Sequence, residues 1–146
     1  MTSTSELKTA VIETEGWIDA FMQLLGWHDR NRTYTALVAA LHASRDCLPW
    51  DEAVQIGAYL PPLLRGLYYE GRHPTARSLP LKDRDVFLER IHAALDHDPG
   101  IDSELVARGS FTLLSRRLPA SELEDVRAVT PVGLHAFWPV SSARSS

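Results

Sequence analysis

The chain has 146 residues, 45% of them hydrophobic and 23% charged, with a formal net charge of −4. That length suits one domain with a real core, or two small halves sharing one. The charge splits evenly, −2 in residues 1–79 and −2 in residues 80–146. No basic block exists to displace counterions from a phosphate backbone, so nucleic-acid binding is not expected.

The one cysteine, Cys47, excludes an intramolecular disulfide and a multi-cysteine metal site. Met1 to Gly16 lack the basic start and apolar run of a signal peptide. The apolar stretches fall short of the ~20 residues that a membrane span needs. A cytoplasmic protein without a membrane segment is therefore expected.

Residues 1–14 begin with Ser and Thr and are expected to form a flexible tail. A first helix is predicted from about Glu15 to Gly26, with Trp17, Phe21, Leu24 and Leu25 at helical spacing. Asp29 in the following loop can cap a second helix, about Arg32 to Cys47. In that helix Tyr34, Leu37, Val38, Leu41 and Leu48 make one apolar stripe. Ala36, Ala40, Ala43 and Cys47 make another of small residues. A helix apolar on two faces is buried between neighbours.

A third helix opens at Leu48-Pro49-Trp50-Asp51-Glu52, where proline suits the first turn and the acids suit the positive end of the helix dipole. A fourth starts at Leu60-Pro61-Pro62 and holds Leu63, Leu64, Leu67 and Tyr68. Residues 71–83, with Gly71, Pro74 and Pro80, read as a linker. Four more helices follow: about Arg84 to Leu95, about Asp102 to Arg117, one opening at Leu118-Pro119, and one from Pro131 to near Trp138. Residues 139–146 are expected to be a second flexible tail. There is almost no strand signal.

Sliding the sequence by 70 residues without gaps sets Leu48-Pro49 on Leu118-Pro119 and Pro61 on Pro131. It also sets Glu52 on Glu122, Leu64 on Leu134, Trp17 on Phe87, Ile56 on Val126 and Tyr68 on Trp138. Prolines, leucines and aromatics matching in one register predict a duplicated unit. The expected fold is an all-α bundle of about eight helices, from two tandem pseudo-repeats of four. Residues 15–70 form the first and 84–138 the second, packed together because neither buries much apolar surface alone.

Three segments carry a resemblance: Leu41-His42-Ala43-Ser44-Arg45-Asp46-Cys47-Leu48-Pro49, Leu60 through Gly71, and Glu122-Leu123-Glu124-Asp125-Val126-Arg127. Together they resemble an uncharacterised bacterial family, the domain of unknown function 2267, over about Trp17 to Trp138. Arg72, Thr130 and Cys47 depart from its usual residues. The resemblance implies a helical fold and a bacterial source. It implies no activity, substrate or cofactor.

Candidate functional residues are few. His42, Arg45 and Asp46 share one turn, with Arg45 inside an apolar stripe, where an unpaired guanidinium would be very costly. They could form an anion or partner site, or a structural pair. Arg65, Tyr69 and Glu70 close the first unit and are of types favoured in interfaces, or they tie down the linker. Asp96, His97, Asp98 and Asp102 could hold a metal but fit helix capping better. No nucleophile, phosphate-loop or dinucleotide motif is present, so no catalytic residue, metal or cofactor is assigned.

The leading expectation is a non-catalytic protein-interaction or scaffolding module, with a protein partner or a second copy of itself. A binder of a small anionic or lipid-like ligand between the repeats, held by Arg45 and Arg65, comes second. A metal-dependent enzyme comes third.

Overall fold

The computed structural model describes residues 3–71 and 83–140. Most of the expected linker and the tail beyond 140 lie outside them. Among the described residues the fold is seven α-helices and one 3-10 helix, with no strand. No described helix is long and apolar enough to cross a membrane.

Helix α1 (Thr4–Leu25) starts well ahead of the expected Glu15. Ser3 and Glu6 form a capping box, each side chain accepting the other's backbone N–H at 3.2 and 3.4 Å. Gly26 ends the helix in the left-handed conformation (φ 70°), its N–H donating to the Met22 carbonyl. Helix α2 (Arg30–Asp46) is capped by Asp29, whose carboxylate accepts from the Arg32 N–H at 3.1 Å. Its alanines Ala36, Ala40 and Ala43 are fully buried, as are Leu37 and Leu41. Tyr34 departs from expectation: it is exposed, on the side of α2 that lines the opening between α1, α2 and α4.

Prolines place the short helices. Pro49 precedes α3 (Trp50–Gly57) and Pro61 precedes α4 (Pro62–Tyr69). Pro119 precedes α7 (Ala120–Val129), and Pro131 precedes the 3-10 helix Val132–Phe137. Between them, α5 (Arg84–Ala94) and α6 (Ser103–Arg117) are capped by Asp83 and Asp102. The last element is a 3-10 helix because only six residues separate Pro131 from Trp138. Its tighter winding brings Leu134 and Phe137, three apart, onto the same buried side.

Helix α2 is central and touches α1, α3, α4, α5 and α6. Helix α6 packs on α1, α2, α5 and the 3-10 helix. The core is continuous across the chain, joining Phe21, Leu37, Leu41 and Tyr68 to Phe87, Ile91, Phe111 and Phe137. Phe87, Phe111 and Phe137 pack mutually, with ring centroids 5.7 to 5.9 Å apart. The Tyr68 hydroxyl donates to the Ala53 carbonyl at 2.6 Å, so its one polar atom is satisfied in the interior.

The crossing of α1 and α6 is closest at Gly109. A Cβ there would stand 2.9 Å from Leu25 Cδ2 and 3.1 Å from Phe21 Cε1. Both side chains are core residues without room to retreat. Gly109→Val is expected to lower stability by about 1–3 kcal/mol, read as a shift in the urea midpoint at unchanged m-value. An unshifted midpoint would mean that α1 and α6 do not approach this closely.

Candidate functional site

The polar residues singled out from sequence converge where α2 ends. Arg45 is only 4% exposed. Its Nε and Nη2 donate to the two carboxylate oxygens of Asp46 at 2.7 and 3.0 Å, a bidentate pair between sequence neighbours. Its Nη1 donates to the carbonyls of Tyr68 and Glu70 at 2.9 and 2.7 Å, closing the end of α4. Arg90 on α5 also pairs with Asp46. One node therefore ties α2, α4 and α5 together. Burial works to raise the Asp46 pKa, but the hydrogen bonds and charges of Arg45 and Arg90 outweigh it and hold the carboxyl below its ordinary value.

The other candidates also spend their polar atoms inside the fold. His42 Nε2 lies 2.6 Å from the Leu67 carbonyl. Arg65 donates from Nε to the Gly57 carbonyl at 2.9 Å and from Nη2 to that of Leu60 at 2.8 Å, satisfying the end of α3. The Tyr69 hydroxyl reaches the Val54 carbonyl at 3.4 Å, and its ring meets Trp50 and Tyr68 edge-on. Glu70 contributes its carbonyl to Arg45. Asp98 accepts from Gly100 N–H and Arg32, and Asp102 caps α6. Among the described residues no three acidic, histidine or cysteine side chains could share a metal ion. Burial pushes the Cys47 thiol up to about 12, so it carries no thiolate at neutral pH.

Among the described residues, a space between the halves beside Ser44, Tyr68, Phe111 and Trp138 is about 10 Å³, enough for about one water. The Ser44 hydroxyl lines this space, buried and without a hydrogen-bond partner among the described residues. Larger openings lie at the surface. One, of about 390 Å³, includes Arg65 and Arg117; another, of about 580 Å³, runs between α1, α2 and α4.

Sequence reasoning missed one arrangement as a site. Glu52 and Glu122 are 7% and 6% exposed and meet as a pair, and one carboxyl oxygen of each has no partner. Each is the third residue of its helix, α3 and α7, where the helix dipole alone would favour the charged form by ~0.3–1 kcal/mol. Burial and the neighbouring carboxyl oppose that and win. They raise the Glu52 pKa to about 7, with Asp125 and Asp51 adding to the effect. The pair holds a proton where solvated glutamates would be ionised. The signal was in the sequence, since the 70-residue register sets Glu52 on Glu122.

An all-helical bundle with this polar frame defines the class as that of a small helical protein. Within it, a family model described as an uncharacterised conserved protein, DUF2267, matches residues 14–137, and the chain belongs to that family. No curated protein matches the chain.

The shared proton has a measurable sign. Well below its ordinary value of 4.5, the Glu52 carboxyl is protonated both folded and unfolded. As pH rises toward 7, the unfolded chain releases its proton first, so this pair's contribution to stability declines through that window and is lost above it. Glu122→Gln keeps the shape and removes the neighbouring carboxyl. It is expected to flatten the decline in part and raise stability at pH 8, while burial and the charges of Asp125 and Asp51 keep the rest of the effect. Parallel pH–stability curves for variant and wild type would show that the two carboxyls do not share a proton.

Proposed function

We propose that the protein is a non-catalytic interaction module that pairs with a second copy of itself through the groove between α1, α2 and α4. Gly66, in the middle of α4, carries this reading. A glycine inside a helix costs about 1 kcal/mol relative to alanine. At Gly57 and Gly109 the fold explains it, because a Cβ would strike Tyr69 or Leu25. At Gly66 a Cβ would meet nothing within 4 Å. Among the described residues nothing occupies that space, and we read it as room for a neighbour that comes close to the α4 backbone.

The groove around Gly66 is lined by Thr14, Tyr34, Leu63, Leu67 and Glu70. Tyr34 and Leu63 are exposed there. Leu7, Val11 and Thr14 lie four and three residues apart on α1, so one helical stripe runs into the groove, with Leu7 and Val11 exposed. Knob and hole thus share one face, which is what a two-fold contact between identical chains requires. Of the candidates named from sequence, Glu70 lies at this groove, while Arg45 and Asp46 brace the α4 helix that forms its wall.

A tandem origin for the halves fits the same reading. Some contacts between elements exchange when the halves are exchanged, α1 with α2 corresponding to α5 with α6 and α1 with α6 to α2 with α5, whereas those of α1 with α4 and α2 with α3 have no counterpart of similar extent. The α2–α4 contact corresponds to that of α6 with the 3-10 helix. On this view Glu52 and Glu122 are one position met twice across an internal two-fold axis.

Sedimentation equilibrium tests the pairing. Wild type is expected to show a concentration-dependent dimer. Gly66→Leu fills the groove without striking the fold, and it should be monomeric with an unchanged or raised melting temperature. Val11→Asp should also be monomeric. A wild type that stays monomeric at every concentration, or a Gly66→Leu that still dimerises, removes the proposal.

A further inference from the structure

We propose that the surface cleft bounded by α1, the α3–α4 turn and the end of α6 binds a small organic anion with a flat apolar body. The cleft encloses about 390 Å³, within the range of small-ligand sites. Its cations are Arg65 on α4 and Arg117 in the last turn of α6, and its walls include Trp17 and Tyr59.

Neither cation has a counter-charge, a condition that among the described residues Arg116 and Arg127 share without lining this cleft. Arg30, Arg32, Arg45, Arg84, Arg90 and Arg108 each pair with a carboxylate. Among the described residues Arg65 and Arg117 pair with none, yet they share one opening. Arg65 is held by its carbonyl contacts through Nε and Nη2, and its Nη1 makes no hydrogen bond among the described residues. It is a pre-positioned donor, whose ordering cost is already met by the fold. Arg117 lies over the Trp17 ring, 5.2 Å from the centroid, and its one hydrogen bond there is a long 3.5 Å contact to the Gly16 carbonyl. A guanidinium stacked on an aromatic ring beside another guanidinium suits a carboxylate or phosphate on a planar group.

Gly16 supplies a second, independent observation. It sits mid-helix in α1 and lines the cleft, and a Cβ there would meet nothing within 4 Å. The helix gives up stability at this point without a packing reason, and the result is an open floor. The one acidic residue in the cleft is Glu13, which is exposed. Its charge opposes an anion weakly, because solvent screens it.

This site is separate from the dimer groove, and its test is separate too. Phenyl phosphate and inorganic phosphate would be titrated into the full chain, followed by the Trp17 indole and Gly16 amide signals in NMR. Phenyl phosphate is expected to bind several-fold more tightly than inorganic phosphate, because only it can lie against the exposed Tyr59 and the Arg117 guanidinium plane. Arg117→Gln should weaken it about tenfold, as the loss of one charge-assisted contact. Glu13→Gln should tighten it. Gly16→Leu should abolish binding while keeping the melting temperature. No shift at Trp17 or Gly16 at millimolar phenyl phosphate, or equal affinity in wild type and Arg117→Gln, would overturn the proposal.

Discussion

A guanidinium sealed inside a helical bundle must be answered on several sides at once, and the Arg45 node shows what that demands. An uncompensated charge in such surroundings costs several kcal/mol. Arg45 is answered by both oxygens of Asp46 and by the carbonyls of Tyr68 and Glu70. Asp46 is answered again by Arg90. These bonds require α2, α4 and α5 to lie in one relation, because a shift of any of them leaves a buried charge or carbonyl unmet. The node is directional where the apolar core is not. Leucines and phenylalanines can repack against one another at modest cost, but a bidentate carboxylate and two carbonyls around one guanidinium cannot.

Two of the polar contacts that bridge the chain's halves are of opposite kinds. Asp46 and Arg90 join α2 to α5 by opposite charge, which persists across the physiological pH range. Glu52 and Glu122 join α3 to α7 by like groups that hold together only while a proton is shared. At pH values where that proton leaves, two buried carboxylates repel. The first contact then keeps its grip while the second loosens. One fold therefore contains a pH-insensitive joint and a pH-sensitive one, set by which residues the core excludes from water.

Much of this was legible in the sequence, and the parts that were not share a cause. The proline-led helices, the aspartate caps and the alanine face of α2 follow from local chemistry, and so they were readable at Pro49, Asp29 and Ala40. The start of α1 was readable too, since Ser3-Thr4-Ser5-Glu6 is a capping-box pattern, but the serine-rich composition masked it. Tyr34 satisfied the helical period yet lies at the opening between α1, α2 and α4 while Thr33 beside it is buried, because periodicity reports a face and not whether a neighbouring helix covers it there. Arg45 was recognised as needing partners, but two of those partners are backbone carbonyls, which no residue type announces. Glu52 and Glu122 were matched in register and still not read as a pair. An acid in the first turn of a helix looks like a dipole cap until the helix opposite is known to bring its own.

Arg117 marks the same boundary from the other side. It meets Trp17 and Gly16 across most of the chain's length, and no local rule predicts such a meeting. What local rules do supply is a measure of what each position gives up. Gly16 and Gly66 are the two mid-helix glycines in which an added methyl group would touch nothing, and each lines a surface opening. Elsewhere the fold accounts for its own costs: Gly109 for a helix crossing, Gly26 for a left-handed turn, Arg45 for a helix end. A helix that forgoes about 1 kcal/mol at a position with free space around it does so for something that space receives. The places where internal packing stops explaining the sequence are therefore where function is to be sought, and in this chain they lie on the surface, on either side of α1.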